Sequence, residues 1–142
     1  MGDITDIIEA IENRMELLGF KATEEVFDFD SVSDSVIDKS FRIEARPIDN
    51  EYHLGNIANT KEQIEIWIAR KTRRKARTIW KTALNDRETI EKDLINASSI
   101  SGLASDPLLM MDREASQEKF LENYLITKLV FTADYIRNIS SS

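Results

Sequence analysis

The sequence predicts an α+β domain: a mainly antiparallel sheet of about four strands, with an N-terminal helix and one long central helix packed on it. Three stretches carry that prediction. Ile64, Ile66 and Ile68 alternate within Gln63–Ala69, and a two-residue period sets them on one face of a strand. From Ala76 onward the period becomes helical. Ala76, Ile79, Ala83, Ile90 and Leu94 fall on one stripe, flanked by Trp80 and Leu84. Tyr124–Tyr135 is apolar on both faces, which suits a central strand or an edge strand covered by another subunit.

The elements follow in order. Ile4, Ile7, Ile8, Ile11, Met15 and Leu18 recur at three- and four-residue spacings, so the first element is an amphipathic helix stopped at Gly19, the residue type best suited to a left-handed C-cap. Lys21–Lys39 reads as an acidic loop with one short extended piece. Its Asp28 and Asp30 invite comparison with a calcium loop, which fails because Ser33 stands where glycine is needed and Lys39 where glutamate is needed. Phe41, Ile43 and Ala45 alternate with Arg42, Glu44 and Arg46, a half-exposed strand ended by Pro47. Ile48–Thr60 reads as a thirteen-residue connection to the next strand. Connections that long are often functional, and its tip of Tyr52, His53 and Leu54 is a candidate partner contact. After the long helix, Asn96–Asp106 is turn-rich, Pro107–Met111 reads as a short buried strand, and Asp112–Asn123 as a polar loop or brief helical turn. Residues 1–142 read as one domain with an exposed tail at 137–142.

Composition excludes several classes of function. There is no cysteine, hence no disulfide, thiolate metal site or thiol nucleophile. The single histidine, His53, has no second ligand at metal-binding spacing and no serine in a nucleophile elbow to serve. Four scattered glycines supply no phosphate cradle. The chain is therefore read as non-catalytic, with no metal and no cofactor. No apolar run approaches the roughly 20 residues of a membrane helix. The acids Asp3, Asp6 and Glu9 within the first helical pattern, and the lack of a basic start, argue against a secretory signal.

Charge is segregated along the chain. Residues 1–69 carry −10, residues 70–81 carry +7 and residues 82–142 carry −4. An acidic body disfavours general affinity for nucleic acid, which depends on cations displacing counterions. The basic run of Arg70, Lys71, Arg73, Arg74, Lys75, Arg77 and Lys81 opens a helix, where the macrodipole disfavours cations, so a compensating acidic partner is expected. Plain solvation of the helix start, and phosphate contact with Trp67 or Trp80 stacking on a base, are the competing readings. Trp80 adjoins the helical stripe and is expected in the core.

Four pieces of this sequence together resemble the tail terminator proteins of long-tailed bacteriophages, also called minor tail or tail completion proteins. They are the helix ending at Leu18-Gly19, the strand at Asp38–Ile43, the strand that runs through Arg70-Lys71 into the long helix, and the closing strand Tyr124–Tyr135. The closing strand, ending on Asp134-Tyr135, is the most specific of these, and Thr23–Ser35 matches least. The resemblance implies a structural virion protein at the head–tail junction, assembled in the host cytoplasm. It implies a homo-hexameric ring with the tail tube protein on one face and a neck or head-completion protein on the other. DNA passes through the lumen without specific binding. Two alternatives stay open: another phage neck protein, such as a head-completion or connector protein, and a nucleic-acid-binding module using residues 70–81.

Overall fold

The structure is a computed structural model that describes residues 4–23, 38–48, 52–54, 57–72, 75–95, 110–121 and 123–138. It is an α+β fold with the elements α1 (Ile4–Leu17), β1 (Lys21–Ala22), β2 (Ser40–Pro47), β3 (Tyr52–Leu54), β4 (Ile57–Lys71), α2 (Ala76–Ile95), β5 (Met110–Leu121) and β6 (Tyr124–Asn138). The sheet order is β1-β2-β4-β6-β5, with β3 also paired to β4. All pairings are antiparallel except β1 with β2.

The two longest strands organise the sheet. β4 and β6 pair without a register break from Ile57↔Asn138 to Lys71↔Tyr124. Each has 15 residues, which makes them about 50 Å long. The two-residue period places Ile64, Ile66 and Ile68 of β4 beside Phe131, Leu129 and Thr127 of β6, with Phe41, Ile43 and Ala45 of β2 completing the same face. Ile7, Ile11 and Met15 of α1 and Ile90 and Leu94 of α2 close over that face to make the core. No described helix lies on the opposite face. There Trp67 sits between two cations, with Lys128 Nζ 5.0 Å and the Arg42 guanidinium 5.5 Å from its ring.

Charged contacts fix the helices. Arg14 makes a two-pronged contact with Asp93, at 2.6 and 2.9 Å, joining α1 to α2. That hydrogen bond, aided by the carboxylate's charge, raises the Arg14 pKa. Arg87 of α2 holds both oxygens of Glu118 on β5, and Arg113 of β5 reaches Glu91 of α2. The sealed atoms Arg87 Nε and Glu91 Oε1, which lack hydrogen-bond partners, face each other at 3.7 Å as an ion pair. Gly19 ends α1 at φ 96°, and the Phe20 amide returns to the Met15 carbonyl, the closure expected of a glycine C-cap.

Three expectations need correction. Part of the predicted connection Ile48–Thr60 is strand: Tyr52↔Asn59 and Leu54↔Ile57 pair β3 with the start of β4. The pairing steps from Pro47↔Glu62 to Tyr52↔Asn59, five positions along one side and three along the other, and this shift breaks the alternation that a sequence pattern relies on. Asp112–Asn123, read as a polar loop or brief helical turn, lies almost entirely in β5. β5 is an edge strand with an irregularity between Arg113 and Ser116, and exposure of most of its residues leaves it polar. Arg137 and Asn138, assigned to the tail, are the last residues of β6. The expectations for Asp28 and Asp30, for 96–106 and for 139–142 fall outside the described residues, as do residues 107–109 of the predicted short strand.

Candidate functional site

The candidate residues divide between the two ends of β4. Tyr52, His53 and Leu54 form β3, paired with residues 57–59 near the start of β4. The basic run begins where β4 finishes. Twelve residues separate Asn59 from Lys71, so the two groups stand about 40 Å apart along the strand. The structure therefore does not bring them into one site.

At the basic end the residues have different fates. Arg70 faces the helices and is 5% exposed. Its guanidinium pairs with Asp86 of α2 and lies 5.2 Å from the Phe20 ring, so its charge is spent inside the chain. The Lys71 amide donates to Asp38 Oδ1 at 2.9 Å, which ties the strand end to the turn before β2. Arg73 and Arg74 lie outside the described residues. Thr72 closes the turn: its amide donates to the Asn123 carbonyl and its carbonyl accepts from Lys75. Lys75, Arg77 and Lys81 are exposed and form no ion pair among the described residues.

The geometry of α2 explains this exposure. Ten residues, 76–85, precede the level at which Asp86 meets Arg70, and only Ala83 among them is buried. They make about 15 Å of helix that stands largely clear of the sheet. Arg77 and Lys81 are one turn apart on its surface. Trp80, expected in the core, is 38% exposed beside them, because the helical stripe has little sheet to cover it at this point. Phe120 and Leu121 are exposed at the same end of the sheet, where Leu121 pairs with Tyr124.

The sequence pattern identified the basic run but could not separate Arg70 from the rest. Its place in the β4 alternation, in step with Ile64, Ile66 and Ile68, was the available signal. That alternation also contains Glu62, a residue the sequence reading passed over. It lies on the helix-facing side, opposite Pro47 and Ala133, and is 8% exposed.

The described residues include shallow, charged recesses. One is lined by Glu44, Arg46, Gln63 and Glu65, another by Glu88, Glu91, Lys92 and Arg113. Their charges are largely engaged: Glu65 lies between Arg46 at 3.7 Å and Lys128 at 3.6 Å, and Glu91 is held by Arg87 and Arg113. Among the described residues no group of three or more histidines, aspartates and glutamates is placed to hold a metal ion. None of their helices is long and apolar enough to cross a membrane. No protein-family model and no curated protein matches the chain.

Proposed function

We propose that the chain is a non-enzymatic structural subunit of a bacteriophage tail. Several copies close a ring on the head-proximal end of the tail tube, stop its polymerisation and offer a surface to the neck. The observation that carries this reading is the separation of unlike surfaces. Exposed cations, Lys75, Arg77 and Lys81, gather at the α2 end of a chain whose net charge is −7. A ring built from identical subunits needs two different, complementary patches on each copy. The helix, hairpin, helix, hairpin order is consistent with the family resemblance described above, and the acidic remainder would let DNA pass a lumen without being gripped.

The test is to add the purified chain to tail tube protein as it polymerises. Short tubes with a ring at one end support the reading, and unaltered elongation with no bound chain overturns it.

One observation favours a second reading. Exposure of Trp80 between Arg77 and Lys81 offers the aromatic surface and the cations that a nucleic-acid-binding module uses. Filter binding at ~150 mM salt separates the two, because phosphate contacts give a steep loss of affinity as salt rises.

A further inference from the structure

Glu62 is a buried acid with no counterpart among the described residues. It lies on the helix-facing side of β4 between Thr60 and Ile64, and it makes no hydrogen bond or ion pair among the described residues. Burial alone raises its carboxyl pKa above the ordinary value. Among the described residues the other buried acids are answered by cations: Glu65 by Arg46 and Lys128, and Glu91 by Arg87 and Arg113. Burying a charge without a partner is unfavourable, and a cation that arrives to meet it recovers the cost.

The converse holds at the far end of the strand, where Lys75, Arg77 and Lys81 are exposed cations without ion partners among the described residues. The two groups cannot meet within one copy. Glu62 and Lys71 lie nine positions apart on extended strand, a span of about 30 Å. The first half of α2 begins past that strand end.

We propose that Glu62 of one copy receives a cation from the first half of α2 of a second copy, supplied by Lys75, Arg77 or Lys81. The contact joins unlike patches head to tail. Repetition closes a ring if the rotation between copies closes, and otherwise gives an open chain. The inference rests on the ring-subunit reading and names the contact that would hold such a ring together.

The absence of cysteine makes the test clean. Glu62→Cys is combined in the full chain with Lys75→Cys, Arg77→Cys or Lys81→Cys, and each double variant is treated with a short thiol-to-thiol cross-linker. At least one pairing is expected to give a ladder of covalent multimers under denaturing conditions, whereas each single variant stops at dimers. In parallel, Glu62→Gln, with folding checked by circular dichroism, is expected to self-associate about tenfold more weakly in sedimentation. Glu62→Lys is expected to weaken it further, and adding Arg77→Glu and Lys81→Glu to restore it. Wild-type rings that persist unchanged in Glu62→Gln, with no ladder from any double variant, overturn this contact and leave the ring-subunit reading standing. A wild-type chain that never self-associates overturns both.

Discussion

Arg70 and Asp86 form an ion pair between the last inward-facing position of β4 and the middle of α2. This pair divides the basic run, since it commits the first cation to the interior while Lys75, Arg77 and Lys81 stay exposed. Removing Asp86 strands a guanidinium that is nearly buried, with the Phe20 ring 5.2 Å away. The Asp86 side chain is 35% exposed, which softens the loss by solvent screening. Asp86→Ala is expected to cost about 2–3 kcal/mol, read as a shift in the urea midpoint at unchanged slope.

Glu62 gives a pH signature. Its folded-state pKa is raised by burial, so the folded chain holds this proton more tightly than the unfolded chain does. The charged form therefore penalises the fold at neutral pH, and the penalty disappears as pH falls through the raised value toward 4.5, the ordinary one. The strand pairing sets Thr60, Ile64, Pro47, Ala133 and Tyr135 around Glu62, and none of these is a cation. Glu62→Gln monomers are expected to melt higher than wild-type monomers at pH 7, with the difference gone below pH 4.5. Equal melting temperatures across that range would contradict an unpartnered carboxylate.

Gly19 occupies a backbone conformation that side chains adopt reluctantly, at φ 96°. An added Cβ would also come 3.3 Å from the Lys39 ammonium, which can move aside. The backbone strain remains, so Gly19→Ala is expected to lower stability by roughly 1 kcal/mol, measurable by thermal unfolding.

Ile66 is fully buried, opposite Ile43 on one side and Leu129 on the other, under both helices. Ile66→Ala leaves a cavity there and is expected to cost about 2–5 kcal/mol by equilibrium unfolding. The same change at the exposed Leu17 is expected to cost under about 0.5 kcal/mol.

Periodicity carried the sequence reading wherever one face of an element meets the core. Ile7, Ile11 and Met15 marked α1, Gly19 marked its end, and Ile64, Ile66 and Ile68 marked the inward face of β4. The pattern failed at β3 and β5. Three paired residues are too few for a period, and an edge strand exposed over most of its length has no apolar face to display. The candidate site was legible only as charge. Counting cations along Arg70–Lys81 located the basic end. It did not separate Arg70, whose inward place only the β4 alternation shows, and it could not reveal that Trp80 turns outward or that Glu62 has no partner among the described residues. The last two are facts of packing between segments distant in sequence.

The most direct measurement is the mass of the purified chain in solution, with negative-stain images of the same sample at low and at high salt. A closed ring of several copies that dissociates as salt screens the charged contacts is the expected result. A monomer at every concentration and salt, or an oligomer indifferent to salt and to reversal of Lys75, Arg77 and Lys81, would contradict the account.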